Sequence, residues 1–323
     1  MRIIFYGTPE ISLPYLDLLA RDQKVVGVVA QPDKPAGRKL LLEPGPVKTR
    51  AQELGIRIFQ PARSSQIVME LRELAPDLAV AVAYGQMLKP DILSIPKLGT
   101  LNVHFSLLPK YRGAAPVQWA LARGETKTGV TIFWLDQGMD TGPIFVKKEL
   151  AIEPDENSPA LIERLKGLGL KALEEVLQEI AVGRINRLAQ EGEPSLAPLI
   201  KKEDARISFG RPAAEIHNLV RGMRLWPRAF LELEQPGGPL RLLVLKTRLP
   251  ENISLLGEGP DASASSTPGA IIRVEPGAGF LIQCLSSRLW FLTVQPEGKK
   301  PVNAADFLNG QRLAAGLFLP VKT

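Results

Sequence analysis

Short β-branched blocks alternate with segments whose apolar residues recur every three to four positions in the first half of the chain. Residues 2–6 and 24–30 (KVVGVVA) read as strands. So do residues 77–83 (DLAVAVA), 100–105, 128–135 and 143–150. Between them, helical spacing covers the stretch from Pro9 to Leu19 and residues 47–54, 67–74, 115–122 and 159–180. Gly55, Pro76, Gly124 and Gly183 supply stops, and Thr8-Pro9 supplies a cap and a first-turn proline. Strands of small apolar residues with no polar face are buried on both sides. Strand and helix in repeated alternation predict an α/β fold, a doubly wound and mostly parallel sheet.

The pattern changes after the long helix. Residues 186–205 are polar and proline-bearing, which predicts a linker. One more helix follows at 212–223, and then short strands at 229–233, 240–246, 270–274, 279–285 and 289–294, separated by Gly and Pro. That succession predicts a small β-barrel or sandwich. Residues 261–268 (DASASSTP) predict a loop.

A chain of 323 residues fits two domains and is long enough to bury a core without staples. The lone Cys284 excludes an intrachain disulfide and a thiolate zinc site, and reads as a buried small hydrophobe. No metal is expected. The first apolar run is too short for a secretory signal and no stretch is long enough to span a bilayer, so a cytoplasmic protein without membrane contact is expected. Net charge is +6, and residues 205–323 carry 14 Lys and Arg against 9 Asp and Glu. A basic second half is compatible with RNA, although a solvated basic surface is common.

The chemistry concentrates in residues 102–113. On a strand, Asn102 and His104 share one face while Leu101, Val103 and Phe105 share the other. Two polar side chains near the C-terminal end of an otherwise apolar strand need partners or a ligand, and open α/β sheets bind ligands at that end. Asp140, in Gly138-Met139-Asp140-Thr141-Gly142, sits where a sharp turn can aim a carboxylate at the same pocket. An amide, an imidazole and a carboxylate together make an acid–base site plausible. The second histidine, His217, lies in a helical pattern and reads as structural. The first turn, Gly7-Thr8-Pro9-Glu10, lacks the GxGxxG fingerprint, and there is no GxxxxGK[ST] loop. Nicotinamide or ATP use is therefore unsupported.

The runs NVHFSLLPKYRGAAPVQ (102–118) and GVTIFWLDQGMDTG (129–142) resemble the active-site core of the folate-dependent formyltransferases. The resemblance implies 10-formyltetrahydrofolate as donor and a catalytic set of Asn102, His104 and Asp140. It also implies a folate site formed by Ser106, Leu107, Leu108 and Pro109 together with Tyr84, Gly85 and Gln86 in VAYGQML (82–88). QPDKPAGRK (31–39) is similar to the loop of the tRNA-directed branch, which implies initiator methionyl-tRNA as acceptor, contacted by Lys34, Arg38 and Lys39. Leu40–Leu42 follow where relatives often carry more lysine. KEDARI (202–207) and Leu225-Trp226-Pro227 resemble the same branch and imply an OB-like barrel. The expected organisation is a catalytic domain at 1–188, a linker at 189–207 and a tRNA-binding barrel at 208–323, in a monomer. Two other readings stay open at this point: a formyltransferase acting on a nucleotide-linked amino sugar, and a catalytically idle RNA-binding protein.

Overall fold

The structure, a computed structural model, describes residues 1–36, 41–235, 238–250 and 267–321. The chain forms two compact units. One holds residues 1–116, 127–151 and 163–198; the other holds residues 117–126, 152–162 and 199 onward. Residues 189–198 of the expected linker are thus built into the first unit. Of the expected loop at 261–268, residues 261–266 lie outside the described residues.

The first unit is an α/β sheet. Its strands begin with β1 (Arg2–Gly7) and β2 (Lys24–Val29). A separate antiparallel hairpin follows, β3 (Lys34–Ala36) with β4 (Leu41–Glu43), where only a loop was legible. The main sheet continues with β5 (Ile58–Phe59), β6 (Leu78–Val82), β7 (Thr100–His104), β8 (Lys127–Trp134) and β9 (Ile144–Ala151). Strand order is β5-β2-β1-β6-β7-β8-β9. The first five strands in that order pair in parallel, and β8 and β9 are antiparallel. The link from β8 to β9 is too short for a crossover, which requires a dozen or more residues, so an antiparallel return is the available solution.

All five side chains of β6 are buried, as a strand covered on both faces demands. Each buried valine or leucine contributes about 1.5–3 kcal/mol relative to exposure. One face of the sheet presents Ile4, Tyr6, Ala79 and Ala81 to Leu71 of α3 (Val68–Glu73) and Ile92 of α4 (Pro90–Leu93). Over the other face lie α1 (Leu13–Asp22) and α6 (Ser158–Ala181), joined where the Tyr15 hydroxyl donates to the Lys166 carbonyl at 3.1 Å. The remaining helix of this unit, α2 (Pro46–Glu53), starts at a proline and stops before Gly55.

From β1 the chain runs outward to β2 and β5, then returns to β6 on the other side of β1. The loops leaving β1 and β6 are tied together at the C-terminal ends of these strands. There the Thr8 hydroxyl donates to the Tyr84 carbonyl at 3.0 Å and the Ser12 hydroxyl to the Val82 carbonyl at 2.7 Å.

The second unit contains most of α5 (Pro116–Ala122), then α7 (Ala213–Gly222), six antiparallel strands and α8 (Ala304–Gly310). The strands are β10 (Phe230–Leu233), β11 (Leu240–Arg248), β12 (Ile271–Glu275), β13 (Gly279–Gln283), β14 (Arg288–Pro296) and β15 (Val302–Asn303). Their order is β10-β11-β14-β13-β12, with β15 on β14. The C-terminal tail bridges the two edges: Val321 pairs with Leu233 at the end of β10, and Phe318 with Ala270 just before β12. Its backbone bonds run from the Glu234 N–H to the Pro320 carbonyl and from the Leu319 N–H to the Gly269 carbonyl. Both sheet edges are covered in this way, so the six strands curl into a small barrel. His217 on α7 is buried, with Nδ1 3.0 Å from the Thr247 hydroxyl and Nε2 3.3 Å from Asp155. Cys284 is fully buried. No helix among the described residues is long and apolar enough to cross a membrane.

Candidate functional site

A cavity of about 510 Å³ opens beyond the C-terminal ends of β6 and β7. Its wall includes Tyr84, Gly85 and Gln86 from the β6 loop, Asn102 and His104 from β7, and Asp140 from the β8–β9 turn. Six of the residues singled out from sequence thus meet at one place. Ligand pockets typically measure about 300–1,000 Å³, so the space suits a small molecule.

Strand alternation delivers the first two polar groups. Asn102 lies between Ala81 on β6 and Phe133 on β8, and His104 pairs with Thr131. The Asn102 side chain is half-buried and, among the described residues, has no hydrogen-bond partner. An amide left uncommitted on a buried sheet is available to a ligand. His104 is 6% exposed and packs edge-on to Phe133. Its Nε2 lies 2.9 Å from the Tyr111 carbonyl oxygen. A carbonyl can only accept, so Nε2 carries a proton and Nδ1 is the nitrogen left to gain or lose one. Nδ1 faces Asp140 Oδ2 across 3.8 Å, an ion-pair distance longer than a hydrogen bond. The orienting bond on the imidazole therefore comes from Tyr111, with the carboxylate beside it.

Asp140 is held in the left-handed region, φ 53°, and its Oδ2 accepts the Gly113 N–H at 2.7 Å. Tyr111 (φ 62°) and Ala83 (φ 48°), both next to the cavity or its histidine, share that conformation. For an L-residue it costs about 1–2 kcal/mol, and such positions gather at functional sites. Glycine is required at Gly113 (φ 123°), where a Cβ would stand 2.6 Å from the Ala197 carbonyl oxygen. It is required again at Gly142, where a Cβ would run into the Trp134 carbonyl.

The segment Ser106-Leu107-Leu108-Pro109 does not line the cavity. The Ser106 hydroxyl donates to the Lys110 carbonyl at 2.6 Å, and its own carbonyl accepts from Thr131 at 2.7 Å. Leu108 is buried with Phe133 and Ile144, and Leu107 leans over Gly129. These residues shape the loop that carries Tyr111. Burial pushes the Tyr84 hydroxyl up to about 12, and among the described residues its oxygen has no hydrogen-bond partner.

Two supports were not legible in the sequence. Gln31 donates to the Tyr84 carbonyl at 3.0 Å, and Gln60 bonds both the Gln31 carbonyl and Asp33, so residues 31–33, ahead of β3, are tied to the cavity wall. A hydrogen bond from Lys48 holds the Asp33 carboxyl below the usual carboxylate range. Beyond these residues, Lys34 opens β3, and Arg38 and Lys39 lie outside the described residues. The second support is residues 188–197. Leu188 bridges Ile144, Gln190 bonds the Asp140 turn, and Ser195 and Ala197 pair with Arg112. A polar stretch without apolar period looks like a linker, because its bonding is carried by backbone and by the Gln190 and Ser195 side chains.

An α/β sheet with an amide, an imidazole and a carboxylate around one cavity at the C-terminal ends of its strands, on a chain that also folds a small barrel, is an arrangement that can polarise a carbonyl and move a proton. Comparison with known proteins gives this arrangement its family. A model described as formyl transferase matches residues 1–177, and one described as formyl transferase, C-terminal domain, matches residues 199–312. The chain is 41% identical to the methionyl-tRNA formyltransferase of Elusimicrobium minutum, over 98% of both chains. It is 42% identical to that of Geotalea uraniireducens, over 100% of this chain and 99% of the relative. Among solved structures, the sugar 3N-formyl transferase WlaRD, crystallised in the presence of dTDP and 5-N-formyl-THF, matches with a TM-score of 0.64 at 19% identity. That match covers 93% of this chain and 99% of WlaRD and speaks for the fold. The chain belongs to the formyl transferase family, in its methionyl-tRNA formyltransferase group, and is a formyl-transferring enzyme.

Proposed function

We propose that the chain transfers a formyl group from 10-formyltetrahydrofolate to the α-amino group of initiator methionyl-tRNA, in the cytoplasm. The observation that carries this reading is the uncommitted Asn102 amide, aimed into a 510 Å³ cavity beside His104 and Asp140. The full-length likeness to methionyl-tRNA formyltransferases supports tRNA over an amino sugar as acceptor.

The residues present fit a formyl-folate. Tyr84, Gly85 and Gln86 bring an aromatic ring, backbone groups and an amide to the wall. The donor supplies an activated formyl carbon. Asn102 donates a hydrogen bond to the formyl oxygen as it gains negative charge, and His104, protonated on Nδ1, adds positive charge nearby. One donor of this kind is worth about 3–4 kcal/mol in the transition state. Asp140 takes the proton that the attacking amine must lose, directly or through water. A proton is returned to the folate nitrogen as its bond to the formyl carbon breaks, so the products are formylated amine and tetrahydrofolate. Lys34, Arg38 and Lys39 meet tRNA phosphates, and the C-terminal barrel, with its basic excess, holds the tRNA body.

The test offers 10-formyltetrahydrofolate with charged initiator tRNA in one arm and a nucleotide-linked amino sugar in the other. A formyl group on the methionyl amine is expected. A formyl group on the sugar alone, or on neither amine, overturns the reading. An Arg38→Ala variant is expected to weaken use of tRNA, and unchanged tRNA kinetics would remove the loop from the account.

A further inference from the structure

We propose that Gln190 is the positioning residue for Asp140 and sets the transfer rate by holding that carboxylate in place. Gln190 does not line the cavity. Its Nε2 donates to the Asp140 carbonyl at 2.8 Å and to the Gly142 carbonyl at 2.9 Å, one amide hydrogen to each. Its Oε1 accepts from Arg112 Nη2 at 2.7 Å and Nε at 3.2 Å. Two carbonyl oxygens on one side and a guanidinium on the other admit only this orientation of the amide.

The turn needs a clamp because Asp140 stands in a left-handed conformation that a non-glycine residue leaves readily. Gln190 fastens that backbone to Arg112. The neighbouring Gly113 N–H fastens the carboxylate, and Tyr111 fastens the His104 ring. Residues 111–113 thus serve as the common reference for both titratable groups of the site. They are themselves set by the strap: the Arg112 N–H donates to the Ser195 carbonyl at 2.8 Å, and the Ala197 N–H donates to the Arg112 carbonyl at 2.7 Å. The Ser195 hydroxyl accepts the Tyr111 N–H at 2.9 Å. Residues 188–197 therefore brace the residues that carry the site without lining the cavity.

The inference rests on the proposed reaction for its kinetic readout. Gln190→Glu keeps the length and the acceptor for Arg112 but turns an oxygen toward two carbonyl oxygens. Expected is a fall of about tenfold or more in kcat, as displacement of a reacting group by an ångström causes, with KM for both substrates within about twofold. In an Asp140→Ala background the same change is expected to cost less than about twofold, because a residue that acts through Asp140 has nothing left to position. A kcat within twofold of the parent, or the full loss repeated without Asp140, overturns the proposal. Gln190→Met, which lacks both donor and acceptor, takes the place of the glutamate variant if that does not fold, with the same outcomes. An independent readout needs no substrate. The chain has two histidines, so the His104 ring signals can be assigned with a His217→Gln variant, and Gln190→Glu is expected to move them as Asp140→Ala does. Unmoved signals overturn the clamp. A parent that formylates no tRNA while the signals move overturns the assigned reaction and leaves the clamp standing.

Discussion

Replacing Asn102 by alanine separates chemistry from stability more cleanly than any other change at the site. The amide has no hydrogen-bond partner among the described residues, so its removal breaks none, and the strand pairings of Asn102 with Ala81 and Phe133 are made by backbone. The folded state should lose no more than about 0.5 kcal/mol, the range for substitutions that touch no special feature. The transition state, in contrast, loses a donor aimed at the developing oxyanion, worth about 2.7–4 kcal/mol or 10²–10³ in kcat. The assay follows formyl transfer from 10-formyltetrahydrofolate to methionyl-tRNA under single-turnover conditions, with the melting temperature measured on the same preparation. A hundredfold or greater loss in rate with KM little changed is expected, because the bond is made mainly as charge develops. A rate within threefold of the parent would refute the role of Asn102. A large fall in melting temperature would refute the reasoning that its amide is uncommitted.

Three further outcomes follow from the same structure. Asp140→Ala should also lose at least about a hundredfold in turnover while the sheet remains folded, and near-normal turnover in that variant removes the carboxylate from the mechanism. For His217, burial first, and the Arg221 charge after it, lower the imidazole below its ordinary value of 6.5, against the opposing pull of Asp155. The unfolded chain therefore binds a proton that the native state refuses as pH falls below about 6.5. Stability should fall there by at most about 1.4 kcal/mol per pH unit from this group, and urea titrations should show a shallower fall in His217→Gln. Burial pushes the Cys284 thiol up to about 12 and leaves it without exposed surface, so thiol reagents at neutral pH should label it only at the rate of unfolding. Fast labelling of the native protein would contradict that packing.

Much of the architecture was legible because sheet periodicity is written in consecutive side chains. The small apolar run at 77–83 announces a strand buried on both faces, and β6 is that strand. Asn102 and His104 stood out because polar residues two apart on such a strand must share a face. Their convergence with Asp140, far along the chain, required the turn after β8, which spacing alone could not aim. What stayed hidden is carried by backbone geometry. The hairpin of β3 and β4 has no alternating pattern over its three-residue strands. Ser106 to Leu108 resembled a ligand-lining run, yet their polar atoms are spent on Lys110 and Thr131 and their side chains lie away from the cavity. Gln190 and Ser195 sit in a stretch without hydrophobic period, where single hydrogen bonds do the holding and leave no signal in composition.

A structure determined with 5- or 10-formyltetrahydrofolate bound tests the central claim most directly. The account places the formyl oxygen within about 2.7–3.1 Å of the Asn102 amide nitrogen, with the pterin end against Tyr84 and Gly85. A donor found elsewhere on the chain, or one whose formyl group in this cavity points away from Asn102, His104 and Asp140, would contradict it.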